Sequence, residues 1–220
     1  AMIARKAGAA LAAGCTMIVK PAPETPLSAL ALAKLAQEAG MPAGVLQVLP
    51  GEGAPLARRL LEHTEVRAFS FTGSTEVGRL LLTQSAATIK KASLELGGHA
   101  PFIVFADADL SQTVKGCLAA KFATSGQDCL AANRIYVQRG LYDRFIERFA
   151  DATSRLTVGH GLEPGIDIGP MTRPSVAEKC RQQIAQALSA GARLVCGGQD
   201  SPLGGNFVTP TVLADVTDEM

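Results

Sequence analysis

At 220 residues, with 47% hydrophobic and 19% charged side chains, the chain can bury one large core or two small ones. Its 21 basic and 20 acidic residues leave a net charge of +1, which argues against nucleic-acid or anionic-membrane partners, so any nucleotide would have to be held locally. No apolar run reaches the roughly 18 residues of a membrane span, and neither five cysteines without a CxxC pair nor three scattered histidines suggest a disulfide framework or a metal site; a reducing cytoplasm is the expected compartment.

Alanine-rich residues 2–13 fit a helix closed by Gly14, and residues 16–19 a short apolar strand followed by Lys20. Pro21, Pro23 and Pro26 are expected to keep the chain irregular until a helix at 27–39, capped by Gly40. Strand 45–49, helix 54–62, strand 66–71 and helix 75–83 follow, an alternation that predicts a parallel sheet covered by helices. A further strand-like run carries Glu95 and ends in Gly97 and Gly98, the best candidate hinge. The pattern then restarts with strand 102–105, helix Leu110–Phe122 capped from the Asp107 and Asp109 pair, and strand 135–138. Helices at 142–155 and 176–190 and strands Arg193–Cys196 and 207–212 complete the chain. The expected fold is α/β, with a Rossmann-like parallel-sheet cofactor domain at 1–96 and a second α/β catalytic domain at 97–220. With Ala1 first and Met220 last, both domains read as cut short.

One cysteine stands apart. Cys129 lies in FATSGQDCLAANR, residues 122–134, where Ser125, Gly126, Gln127 and Asp128 can bend the backbone and turn amides toward a ligand. A loop cysteine alone is more often incidental than catalytic, whereas Cys15, Cys117, Cys180 and Cys196 lie on or beside helical or apolar runs and read as inert core residues. Glu95, at a strand end beside paired glycines, is either merely a strand-end carboxylate or a general base, and burial at a cleft would disfavour its charged form. FTGSTEVG, residues 71–78, lacks the Lys and Ser or Thr of an ATP-binding P-loop, and no GxGxxG is present. What remains is a turn at Gly73 and a helix opening at Ser74, an ordinary N-cap or an anion-binding helix start. Lys20, at a strand end, is either a ligand contact or a solvated lysine, and His63, His99 and His160 read as surface residues.

The cysteine loop, SLELGG at 93–98, FTGSTEVG and the opening AMIARKAGAALAAGCTMIVKPAPETP together resemble the aldehyde dehydrogenase superfamily, most closely its succinate-semialdehyde branch, over essentially the whole chain. The resemblance implies an internal piece of a longer, homo-oligomeric enzyme that oxidises an aldehyde to the acid through a thioester. Cys129 would be the nucleophile and Glu95 the base that activates water. Lys20, Pro23, Gly51, Gly73, Ser74, Thr75, Gly78 and Leu96 match the positions that hold NADP or NAD. Pro23 stands where NAD-preferring members carry a glutamate, with Glu24 next to it. Arg5 matches one of two arginines that clamp the substrate carboxylate in semialdehyde-oxidising members; the other matches Ala123. The second cysteine that some members use to lock the loop by a disulfide is Ala131 here, and the asparagine that helps bind the oxyanion would precede Ala1. A broad aliphatic aldehyde dehydrogenase, a piece inactive by itself, and a cysteine hydrolase with a histidine beside the thiol are the rival readings.

Overall fold

Glycine turns set the first boundaries. In the computed structural model, which describes residues 2–220, helix α1 (Met2–Ala12) ends where Gly14 takes φ +76° and Cys15 donates its N–H back to Ala10 O at 2.9 Å. Helix α2 (Pro26–Glu38) ends in the same way at Gly40, φ +87°, where Met41 N–H reaches Ala36 O at 3.0 Å. Pro26 does not extend the irregular stretch as expected; it is the first helical residue of α2, where its fixed φ fits and no amide partner is lost.

Contacts divide the chain into two units, Ala1–Gly97 and Gly98–Met220. In the first, strands β1 (Met17–Val19) and β2 (Leu46–Val48) pair in parallel, joined through α2, so both C-terminal ends leave on the same side. Helix α3 (Gly53–Glu62) follows β2, and strand β3 (Ala68–Gly73) leads into helix α4 (Thr75–Ser85). Strand β4 (Lys91–Leu96) returns parallel to β3 in a register that sets Thr72 opposite Glu95 and Gly73 opposite Leu96. Ala7, Val19, Ala29, Leu61 and Leu81 are the buried apolar residues of this unit.

In the second unit, β5 (Pro101–Val104) and β6 (Arg134–Val137) are parallel, with helix α5 (Leu110–Phe122) between them in sequence. Leu110, Val114 and Cys117, at spacings of four and three, put one face of α5 into a core with Val104, Leu141 and the Phe145 and Phe149 rings of helix α6 (Tyr142–Ser154). Those rings stack with centroids 5.4 Å apart. Helix α7 (Pro174–Ser189) precedes β7 (Arg193–Cys196), which pairs antiparallel with β8 (Val212–Ala214). Among the described residues the strands form four two-stranded sheets, three parallel and one antiparallel. Each parallel pair is joined through a helix; β7 and β8 are not, so their return is antiparallel. The strand expected at 207–212 therefore moves to Val212–Ala214, leaving only an isolated Asp200–Val208 bridge. Pro210 offers no N–H to a ladder, and its carbonyl lies so near Gly197 that a Cβ there would sit 2.1 Å from it.

Candidate active site

Asp109 starts α5 by accepting the Gln112 N–H at 2.8 Å, and the buried Cys117 anchors the middle of the helix, so α5 delivers its C-terminal end at a fixed place. Beyond it, Thr124, Ser125 and Gly126 take φ values of 54°, 56° and 71° in succession. For the two that carry a Cβ, left-handed backbone costs about 1–2 kcal/mol each, so something must hold them. Ser125 Oγ accepts Gly169 N–H at 2.8 Å; Gln127 Oε1 accepts Thr172 N–H at 2.8 Å and Thr172 Oγ1–H at 2.6 Å, while Gln127 Nε2 donates to Pro170 O at 3.2 Å. Asp128 Oδ1 accepts Leu130 N–H at 3.1 Å and the Cys129 Sγ–H at 3.5 Å. Past the thiol, Ala131 and Ala132 are buried, and Lys121 Nζ donates to Asn133 Oδ1 at 2.5 Å. Burial lowers the Lys121 pKa, partly opposed by the nearby Cys180. Cys129 itself is exposed on a bend fixed at both ends.

The other cysteines divide differently from the sequence expectation. Cys117 is fully buried, which pushes its thiol up to about 12, and burial also raises Cys196. Cys15 is exposed rather than in a core, because it follows the glycine turn that ends α1 instead of lying on the helix's inner face; Cys180 and Cys196 are half-buried.

Glu95 belongs to the first unit. Leu94 and Leu96 are half-buried and Glu95 between them is exposed, as strand alternation dictates, so the burial expected of a tuned base is absent in this chain. The residue that joins it is Lys6, whose Nζ donates to Thr72 Oγ1 at 2.5 Å, Thr72 being Glu95's partner across the β3–β4 pair. Partial burial lowers the Lys6 pKa; the Glu95 charge raises it, and the Arg5 charge lowers it further. Sequence reasoning passed over Lys6, because a lone lysine in an alanine-rich helix looks solvated and its partner lies 66 residues away. Arg5 is exposed, and its side chain makes no hydrogen bond or ion pair among the described residues.

The residues expected to hold a cofactor gather in two places. At the end of the β1–β2 pair, Pro21, Ala22, Pro23, Pro26, Pro50, Gly51 and Glu52 line an open, largely apolar cleft of about 340 Å³, in the crevice where open α/β sheets bind ligands. Lys20 stands next to it, half-buried, its ammonium given to Pro21 O at 2.6 Å. At the end of the β3–β4 pair, Ser74 Oγ accepts Val77 N–H at 3.3 Å and Ser74 O accepts Gly78 N–H at 2.9 Å, while the Thr75 and Glu76 amides that open α4 have no partner within the helix. A Cβ on Gly78 would lie 2.7 Å from Leu96 Cδ2, so this glycine permits close packing of the α4 start against β4, and one on Gly73 would lie 2.3 Å from the Phe71 ring of its own strand. An apolar crevice for a base and ribose and a helix start for a pyrophosphate fit a dinucleotide. A larger cleft of about 390 Å³ along α7, near Arg181, Asp200 and Phe207, contains none of the expected site residues.

Parallel βαβ units with an open crevice at the strand ends, and an exposed thiol on a braced loop in a separate unit, define an α/β protein of mixed helix and parallel sheet. The profile of the aldehyde dehydrogenase family matches residues 1–220, and the chain belongs to that family. It is 56% identical over 216 residues to succinate-semialdehyde dehydrogenase [NADP(+)] of Escherichia coli, covering 98% of this chain and 45% of that protein. Over 220 residues it is 54% identical to 3-sulfolactaldehyde dehydrogenase of Pseudomonas putida, covering 100% and 45%. A crystal structure of succinate-semialdehyde dehydrogenase from Burkholderia pseudomallei superposes with a TM-score of 0.97 at 50% identity, over 100% of this chain and 45% of that one. The chain thus spans about 45% of the length of the curated relatives it matches.

Proposed function

We propose that this chain supplies the nucleophile, the base and the cofactor contacts of an NAD(P)-dependent dehydrogenase that oxidises a short ω-carboxylated aldehyde, such as succinate semialdehyde, to the acid. The observation that carries this reading is the exposed Cys129 thiol on a left-handed, externally braced loop, in a chain of the aldehyde dehydrogenase family. Cys129 Sγ adds to the aldehyde carbon, and the Cys129 N–H is one donor for the oxyanion that forms. A bound nicotinamide would supply the hydride acceptor for this adduct, whose oxidation would leave a thioester on Cys129. Glu95 then takes a proton from water as it attacks the thioester, releasing the carboxylic acid and restoring the thiol. The Lys6 ammonium, donating to Thr72 beside Glu95, holds positive charge near that carboxylate in the step.

Pro23 and Gly51 in the crevice would hold the ribose end of the cofactor with Lys20; Gly73, Ser74, Thr75, Gly78 and Leu96 would hold the pyrophosphate side. With Pro23 in place of a carboxylate and Lys20 nearby, a 2′-phosphate meets attraction rather than repulsion, which favours NADP at least as much as NAD. Arg5 is the candidate anchor for the substrate carboxylate, and a reducing cytoplasm suits five unpaired cysteines. The test is the rate of reduced-cofactor formation by the intact protein from succinate semialdehyde with each cofactor. NADP should give a kcat/KM at least equal to that with NAD, and Cys129→Ala should abolish the activity. A Cys129→Ala protein that still reduces the cofactor would refute the nucleophile; ester hydrolysis with no cofactor reduction would point to a cysteine hydrolase.

A further inference from the structure

We infer that Gln127 is a positioning residue for the Cys129 thiol, acting through Thr172 with Ser125 behind it. The inference rests on the reading of Cys129 as nucleophile. Thr124, Ser125 and Gly126 all occupy left-handed backbone, which only the glycine favours, and inside the turn Gln127 N–H bonds Thr124 O at 3.1 Å and Thr124 Oγ1–H bonds Ala123 O at 2.6 Å, so further bonds from outside add to what holds it. Ser125 and Gln127 tie it to one segment 43 to 45 residues further on, through Gly169 N–H, Pro170 O, Thr172 N–H and Thr172 Oγ1–H. A side-chain amide suits this place, because its oxygen accepts both Thr172 donors while its nitrogen donates to the Pro170 carbonyl two residues earlier. The segment is itself fixed: Ile168 and Met171 are buried, Ile168 N–H bonds Thr157 O at 3.0 Å, and Met171 N–H bonds Asn206 O at 2.8 Å. Cys129 follows two residues after Gln127, so release of the amide releases the thiol.

The test uses the full-length protein and three variants, Gln127→Ala, Thr172→Val and Thr172→Ser. Iodoacetamide alkylation is read at Cys129 by peptide mass spectrometry, with the exposed Cys15 as internal control, alongside kcat and the KM of the cofactor. Gln127→Ala should slow Cys129 alkylation and lower kcat about tenfold, leaving Cys15 alkylation and the cofactor KM unchanged. Thr172→Val should shift both in the same direction by less, and Thr172→Ser, which restores the hydroxyl, should match the wild type. An unchanged or faster Cys129 rate in Gln127→Ala, an equal slowing at Cys15, or a Thr172→Ser protein as impaired as Thr172→Val would overturn the assignment. If Cys129→Ala keeps dehydrogenase activity, the nucleophile reading fails, and the alkylation rates still decide the clamp.

Discussion

On the proposed reading, Ala123 bears on substrate choice: exposed at the end of α5, its methyl group would not bind a carboxylate, which leaves the exposed guanidinium of Arg5 as the anchor proposed above. A charge-assisted hydrogen bond is worth about 1.5–3 kcal/mol, so Arg5→Ala should lower kcat/KM for succinate semialdehyde about 10- to 150-fold and leave the neutral four-carbon aldehyde unaffected. Steady-state rates on the two aldehydes decide it; equal losses would remove Arg5 from the substrate site. The exposed loop position of Cys129 was legible because four bend-forming polar residues precede it between two apolar runs. Two other features at this scale were not. The exposure of Glu95 depends on which face of β4 is covered, and Leu-Glu-Leu does not say which; Lys6 becomes notable only when the fold brings Thr72 to it.

Among the elements, α5 was readable to the residue, since Asp109 caps it and its apolar positions repeat on one face, whereas β8 was misplaced because Pro210 and the close Gly197 backbone displace the ladder. The braced turn after α5 was invisible in sequence: Thr and Ser give no signal of left-handed backbone, and their partners lie beyond α6. The α5–α6 packing also makes stability depend on pH. Burial raises Cys117 from 9.0 to about 12, so the folded state keeps a proton that the unfolded chain releases. The stabilisation is therefore complete below pH 9 and is lost as pH climbs toward 12, by up to about 1.4 kcal/mol per pH unit. Cys117→Ala lacks this linkage but leaves a small void, so it should be the less stable protein at pH 8, with the gap narrowing above pH 9. Denaturant midpoints of both proteins across that range would show the narrowing; a constant gap would contradict it.

For the whole molecule, alternation of helix and strand made the α/β class plain, because each parallel pair needs a helical crossover and the apolar runs are spaced for one. The antiparallel β7–β8 pair escaped that logic, since the linking segment carries no helix to announce the direction of return. In the mechanism proposed above Cys129 carries the acyl group and Glu95 directs its hydrolysis, and trapping the intermediate tests both assignments together. The Glu95→Gln form of the intact protein, mixed with succinate semialdehyde and NADP and quenched in acid, should show by peptide mass spectrometry a succinyl thioester on Cys129, with Cys117 unmodified. Acylation of a different cysteine, or a Glu95→Gln protein that turns over at the wild-type rate without accumulating any adduct, would contradict the account.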